Sequence, residues 1–240
     1  MKKVIDKDAY GKGLLAWMEG RKNAKFVVAS DIAETERWDI STFFRAYKDM
    51  PEAEQKALDE VNGRVLDLGA GAGSHALWLQ ENGFDVTAID ISQGAVQVME
   101  KRGIKNVRNI DFFNLKDEKF DTIISLMNGA GIVQKLDRFP EFFSKAKSLL
   151  NENGTILLDS SNIIYLFLDD DGSALIDLNA SYYGEMKYRM DFENFKGVPF
   201  DWIFIDFDTL AEKAEQSGFT AEKIYEDEHF LYLAKLTLKK

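Results

Sequence analysis

The chain contains no cysteine, which excludes structural disulfides and thiolate-held zinc. Histidine is nearly absent too. His75 and His229 are the only two, so no cluster with metal-ligand spacing exists and metal catalysis is not expected. No apolar run is long enough to span a bilayer, and the opening Met1-Lys2-Lys3-Val4-Ile5-Asp6 lacks the apolar core of a signal peptide; a cytoplasmic protein without membrane contact is expected. Basic charge is also short: 30 Lys and Arg stand against 41 Asp and Glu, a net charge of -11, with the lysines scattered. A nucleic-acid backbone is held by a basic stripe that neutralises phosphates, and none is visible, so the balance favours small-molecule or protein partners over nucleic acid. At 240 residues the chain can bury roughly 70–75% of its unfolded surface, enough for one large domain with an appendage and no staple.

The most informative run present is Val65-Leu66-Asp67-Leu68-Gly69-Ala70-Gly71-Ala72-Gly73. Apolar residues around an acid read as the end of a buried strand, and three alternating glycines let the backbone turn sharply against a ligand. Apolar periodicity resumes at Ala76, Leu77 and Leu79 and stops at Asn82-Gly83, so the glycines lie between a strand and the positive end of a helix. Read from Gly71, the segment Gly71-Ala72-Gly73-Ser74-His75-Ala76 satisfies a dinucleotide fingerprint, with Asp90 about 20 residues on. Asp67 argues against that reading, because a carboxylate before the first glycine repels a pyrophosphate and welcomes a cation. S-adenosyl-L-methionine brings an ammonium, a sulfonium and a ribose diol, and two acids flanking a glycine loop suit it.

The sequence resembles the class I S-adenosylmethionine-dependent methyltransferases. The resemblance rests on Asp67 to Gly73, Val86-Thr87-Ala88-Ile89-Asp90-Ile91-Ser92, Asn109-Ile110-Asp111-Phe112, Phe120-Asp121-Thr122-Ile123-Ile124-Ser125, and Leu149-Leu150 followed by Asn153-Gly154-Thr155-Ile156-Leu157-Leu158. It covers about residues 61 to 160 and implies the following roles. Asp67 holds the methionine ammonium, and the backbone of Gly69, Ala70 and Gly71 passes the methionine and ribose. Asp90 chelates the ribose hydroxyls, Ile91 lies on the adenine face, Asp111 accepts from the adenine amino group, the Phe112 backbone reads the ring edge, and Met127 faces the sulfur. The amino-methylating Asn/Asp-Pro-Pro-Tyr signature is absent; Met127-Asn128-Gly129-Ala130-Gly131 stands there instead. Asn128 is a candidate acceptor-orienting residue, and no general base can be assigned.

Plainer roles stay open for several of these. Ser92 can simply cap a helix bearing Ala95, Val96 and Met99; Asp111 can start a turn; Met127 can fill a core gap; Asn128 before Gly129 can form a turn. His75, near the start of the first helix, stands within reach of the cofactor loop, but an exposed helix face is the expectation.

The expected fold is α/β: a Rossmann-like, doubly wound, mostly parallel sheet, for which the resemblance implies seven strands in the order 3-2-1-4-5-7-6 and an antiparallel last strand. Strands are expected near 64–68, 84–90, 105–110, 120–126 and 154–160, with helices near 74–82, 92–102 and 138–150. Residues 1–60 read as an N-terminal helical cap segment, and residues 61–240 as the cofactor-binding domain. Asp169-Asp170-Asp171-Gly172 reads as a loop tip. A hairpin insertion at about 178–206 carries alternating Met186, Tyr188, Met190 and Phe192, a turn at Asn194 to Gly197, then Phe200, Trp202 and Phe204. A helix capped by Asp208 and stopped by Gly218 precedes two closing strands. Tyr188 and Trp202 are the candidate acceptor contacts. The function expected is methyl transfer to a small-molecule acceptor, with an NAD(P)-dependent oxidoreductase or a non-catalytic S-adenosylmethionine-binding protein as alternatives. Oligomeric state is left open.

Overall fold

The computed structural model describes residues 4–169, 173 and 181–239. In chain order its elements are β1 (Val4–Asp6), α1 (Ala9–Met18), β2 (Lys25–Ser30), β3 (Glu36–Asp39), α2 (Glu52–Asp59), β4 (Arg64–Leu68), α3 (Ser74–Glu81), β5 (Asp85–Asp90), α4 (Gln93–Lys101), β6 (Asn106–Asn109), β7 (Phe120–Ser125), α5 (Phe139–Leu149), β8 (Leu150–Ser161), β9 (Glu185–Phe192), β10 (Phe195–Gly197), β11 (Phe200–Ile203), α6 (Phe207–Gln216), β12 (Phe219–Glu226) and β13 (Leu231–Leu238). No described helix is long and apolar enough to cross a membrane.

Seven strands form the main sheet in the order β12-β13-β8-β7-β4-β5-β6. Numbered within that sheet this is 3-2-1-4-5-7-6 read from β6, as expected. The pairs β4–β5, β4–β7, β5–β6 and β7–β8 are parallel, while β13 runs antiparallel to both β8 and β12. Successive residues along the central strands feed opposite cores. Leu66, Ile123, Ile156 and Leu158 pack with Phe139, Phe142 and Phe143 of α5, whereas Val65, Ile124, Leu157 and Val86 pack beneath Leu79, Val96 and Met99 of α3 and α4. Burial on both faces is why these strands read as unbroken apolar runs rather than alternating ones.

The N-terminal segment departs from the helical expectation. It contains α1, α2 and two short turns of 3-10 helix, but also β1, β2 and β3. In β2 the residues Phe26 and Val28 are buried and their neighbours are more exposed, a period of two that favours a strand once a partner is present. That partner is remote in sequence. β2 pairs antiparallel with β3 on one side and with β9 on the other, and the second sheet runs β1-β10-β9-β2-β3, with β11 also on β9. The insertion therefore completes a sheet that the N-terminal segment begins.

The hairpin itself differs in its return. The chain turns at Glu193, which has φ 48°, and Asn194, and residues 195–197 form β10 beside β1 before β11 pairs Phe200 with Tyr188 and Trp202 with Met186. The first residues of the 178–206 segment, and the acidic tip beyond Asp169, lie outside the described residues. Helix α6 is capped by Asp206, whose Oδ1 accepts from the Thr209 N–H at 2.9 Å, rather than by Asp208, which falls in its first turn.

Helix α1 joins the second sheet to the main domain. Leu14 packs with Phe26, Val28 and Phe192 of the sheet and with Ala95 and Val98 of α4. The two helices touch at glycines: a Cβ on Gly94 would lie 2.5 Å from the Gly11 backbone. Asp8, the N-cap of α1, spans the contact, accepting from the Gly11 N–H at 3.0 Å, the Ser92 hydroxyl at 2.6 Å and the Gly94 N–H at 2.8 Å. Helix propensity alone would make Gly94→Ala stabilising by up to about 1 kcal/mol. The close approach reverses the sign, and a loss of roughly 1–3 kcal/mol in urea unfolding is expected. An unchanged or raised midpoint would show that the helices part freely.

Candidate functional site

Strand β4 runs into the glycine loop, where Gly69, Gly71 and Gly73 have φ of 69°, 57° and 77°. These left-handed conformations carry little penalty only without a Cβ. The loop is tied back at two points, by Ala70 N–H to the Ile89 carbonyl at 3.0 Å and by Gly73 N–H to the Ala70 carbonyl at 2.7 Å. Helix α3 then starts at Ser74.

Register places the acids around this loop. Leu68 pairs with Ile89, so Asp90 ends β5 beside the first glycine. Its Oδ2 accepts from the Gly71 N–H at 2.9 Å and its Oδ1 from the Ser92 N–H at 2.8 Å. Asp67, 1% exposed, turns under the loop and accepts from the Ala76 N–H at 3.1 Å. Ile91 is 76% exposed immediately beside Asp90, an apolar side chain presented to the surface. Asp111 follows β6, and its Oδ1 accepts from the Phe113 N–H at 2.8 Å, so it does form the turn; Phe112 behind it is buried against Phe142. Ser92 caps α4, its hydroxyl accepting from the Ala95 N–H at 3.0 Å.

On the other side of β4, strand β7 is followed, after Leu126, by two residues of left-handed backbone, Met127 (φ 67°) and Asn128 (φ 58°). The buried Asp159 of β8 holds this bend, accepting from the Met127 N–H at 3.1 Å and the Gly129 N–H at 2.8 Å. The Asn128 Oδ1 accepts from the Ser161 hydroxyl at 3.0 Å. The next residues bridge two regions. Ile132 reaches the glycine loop, its Cδ1 2.7 Å from where a Gly69 Cβ would be, and Gly131 lies so close under the Trp202 ring that no Cβ fits there. Tyr188 is half-buried against Phe200 and Phe204 on the second sheet. Thus Asp67, Gly69, Ala70, Gly71, Asp90, Ile91, Asp111, Phe112, Met127 and Asn128 lie at or just beyond the C-terminal ends of β4, β5, β6 and β7, with Trp202 docked on the turn after β7 and Tyr188 on the second sheet.

Tyr10, Asp8, Asp159 and Glu54 escaped the sequence reading, and His75 is placed differently from the expectation. A Cβ on Gly71 would lie 2.6 Å from the Tyr10 hydroxyl, so α1 delivers a phenol directly to the loop. Burial, then the charges of Asp90 and Asp8, raises the Tyr10 pKa well above its ordinary value. Asp8 and Asp159 hold backbone N–H groups on either flank. His75 is 6% exposed rather than on a free helix face, because its Nε2 lies 2.8 Å from Oε2 of the buried Glu54, which also takes the Arg45 guanidinium at 2.5 Å. The spacing from Asp67 to His75 carries no signal for this, since Glu54 comes from the N-terminal segment.

Burial pushes Asp67, Asp90 and Asp159 each up to about 6, against the pull of the N–H groups they accept from and, for Asp67 and Asp159, of the His75 charge. A raised acid binds protons more tightly folded than unfolded, so it stabilises the fold as pH falls from about 6 towards 4 and gives nothing above that window. At pH 7 the ionised, ligand-free site is therefore a destabilising element. Asp67→Asn keeps an acceptor for Ala76 and removes the buried charge; the ligand-free variant should be more stable at pH 7 by up to roughly 3 kcal/mol, with the gain vanishing near pH 4. Urea unfolding at the two pH values checks this, and a variant less stable than the parent at pH 7 would contradict it.

Comparison with known proteins follows the same lines. The sequence profile described as a methyltransferase domain matches residues 41–224. A solved S-adenosylmethionine-dependent methyltransferase from Bacteroides fragilis, in complex with S-adenosyl-L-homocysteine, is 42% identical, with a TM-score of 0.92 over 100% of both chains. A glycine/sarcosine N-methyltransferase from Parasynechococcus marenigrum is 32% identical over 59% of this chain and 53% of its own length. An amino pentose methyltransferase from Micromonospora echinaspora shares the fold at 14% identity, with a TM-score of 0.57 over 82% and 94% of the two chains. The chain spans between about two-fifths and three-quarters of the length of the curated relatives it matches. Profile, fold and strand order agree that the chain belongs to the class I S-adenosylmethionine-dependent methyltransferases.

Proposed function

We propose that this chain transfers a methyl group from S-adenosylmethionine to a small-molecule acceptor. The observation that carries the reading is the state of the glycine loop: the Gly71 N–H, the donor a pyrophosphate would take, is already held by the Asp90 carboxylate, and Asp67 lies buried beneath. That arrangement opposes an anion and suits a cation, which favours methyl transfer over a nicotinamide oxidoreductase. Asp90 spends two of roughly four acceptor positions on Gly71 and Ser92 and keeps the others for a ribose diol. Exposed Ile91 offers a face to adenine, with Asp111 at the ring edge and Asp67 on the ammonium side. Bound there, the cofactor would supply a methyl on a cationic sulfur, and the protein's part is to align the acceptor and exclude water.

The acceptor side is assigned to the second sheet and the turn after β7. Trp202 docks on that turn, and Asn128 stands at its start. Beside Tyr188, a cavity of about 40 Å³ is lined by Glu34, Glu36 and Trp38 among others. Neither carboxylate is paired with Lys or Arg among the described residues, so a neutral or cationic acceptor suits this wall better than an anionic one. The methyltransferases of glycine/sarcosine and of an amino pentose among the relatives support a small acceptor, as does the acidic balance of the chain.

Calorimetry should register S-adenosylmethionine and S-adenosylhomocysteine but not NAD; the reverse would overturn the reading. Asp90→Ala should weaken cofactor affinity by roughly 1.5–3 kcal/mol, the range for hydrogen bonds to a charged group. Tyr188→Ala should leave cofactor affinity unchanged and lower turnover through the acceptor KM. A normal acceptor response with intact folding would move the pocket elsewhere.

A further inference from the structure

His75 is a buried ionisable group for which the proposed methyl transfer gives no role. It sits in the first turn of α3, where the helix dipole opposes a positive charge, and it is almost without solvent. Such a site would normally hold a neutral imidazole. Here the N-terminal segment sends Glu54 to it at 2.8 Å, and Glu54 is itself anchored by Arg45. On the other side, the backbone of the very next residue, Ala76, donates to Asp67 at 3.1 Å, which brings the start of α3, with His75, against this acid of β4. We propose that His75, clamped by Glu54, is a positioning residue whose positive charge keeps the Asp67 carboxylate ionised and so ready for a cationic cofactor. The inference rests on the proposed role of Asp67 in holding the methionine ammonium.

The surrounding charges fix the sign. Facing His75 are Glu54 and, behind it, Arg45, Asp67 of β4 and Asp159 of β8; facing Asp67 are His75 and, from β5, Asp90. Arg102 of α4 is spent on the other side of the loop, on the Ala72 carbonyl at 2.7 Å and the Ser74 hydroxyl. His75 is therefore the cation that acts on Asp67. Burial pushes His75 down, yet the Glu54 hydrogen bond and the charges of Asp67, Glu54 and Asp159 outweigh it and hold the imidazole above its ordinary range. Asp67 at about 6 is then ionised at neutral pH, beside an imidazole that holds its proton more tightly than a free histidine does. Removing the imidazolium would let burial carry the Asp67 carboxyl higher, into the range where a neutral acid meets the cofactor.

The test is the pH dependence of S-adenosylmethionine affinity, by calorimetry, in the parent, His75→Gln and Asp67→Asn. Glutamine can still donate to Glu54, so packing is largely kept. In the parent, affinity should fall as pH drops through about 6. In His75→Gln that fall should move up by roughly one pH unit, with affinity at pH 8.5 within about twofold of the parent, because there the carboxylate is ionised in both. A uniform loss of affinity at every pH, or an unmoved midpoint, would overturn the inference. Asp67→Asn separates the layers: if it leaves affinity intact at pH 8.5, the role of Asp67 fails, whereas if it weakens binding and His75→Gln leaves the midpoint in place, only the role of His75 fails. Should His75→Gln not fold, the His75 ring can be titrated by NMR in the parent and in Asp67→Asn, with His229 as the only other imidazole. Coupling is reciprocal, so loss of the Asp67 charge should lower the His75 midpoint; an unchanged midpoint refutes the pairing.

Discussion

The Asp90 carboxylate is the joint on which the rest of the molecule turns. Its residue is nearly without solvent, yet joins three pieces of chain: the glycine loop through Gly71, the start of α4 through Ser92, and, through the backbone carbonyl, the end of β6, where Ile110 N–H and the Asn109 side chain both donate. Ser92 passes the linkage on, because its hydroxyl reaches Asp8 and so sets the N-terminal helix on α4. A carboxylate facing N–H groups at the start of a helix is favoured by the local dipoles, which offsets part of the cost of taking it out of water. Replacing it by an apolar residue would leave the Gly71 and Ser92 N–H groups without acceptors, so the residue is as structural as it is available to a ligand.

The second sheet follows from the same constraint at longer range. Strands β2 and β9 are separated by more of the chain than lies within either the N-terminal segment or the insertion, and neither part can close an apolar face alone. Phe26, Val28 and Phe192 become core only when α1 lies across them, and α1 lies across them because Gly11 and Gly94 let it approach α4. The contact then reaches the loop itself through Tyr10, while Trp202 presses on the turn after β7 and Ile132 presses on Gly69. The N-terminal segment thus bears on the glycine loop directly, and the insertion bears on it through the turn after β7, which ties whatever they bind to the geometry at Asp67 and Asp90.

What could be read from the sequence was local. The strands β4 to β7, the helices α3 to α5 and the glycine loop declare themselves by a period within a dozen residues and formed with boundaries close to those expected; β8 starts four residues earlier, and β9 formed as a strand whose polar face is not free, since Asp191 on it is buried. What could not be read depended on partners far along the chain. Phe26-Val27-Val28 is too short a run to declare a strand without β9, and residues 195–197 pass for a turn until β1 lies beside them. His75 has the spacing of an exposed helix position and becomes buried only because Glu54 and Arg45 cover it. The cap of α6 was missed by two residues because Asp206 and Asp208 are equally good cap residues and only the bond from Thr209 N–H distinguishes them.

The site also explains why a ligand-binding edge is a poor place to look for stability. Three carboxylates, Asp67, Asp90 and Asp159, are kept where burial resists their ionisation; the His75 imidazole of α3 acts on two of them, and Glu54, paired with Arg45, holds that imidazole. A core built for stability would replace such a cluster with apolar side chains of the same volume. Its retention makes sense if an incoming cation supplies the missing charge: binding then lowers the acids' pKa values and contributes stability that the ligand-free protein lacks, by the ordinary linkage between binding and folding. The same reasoning gives the buried imidazole its place, since a site that must stay ionised before the cation arrives needs a resident positive charge close by, and His75, held by Glu54, acts on Asp67 from the start of α3.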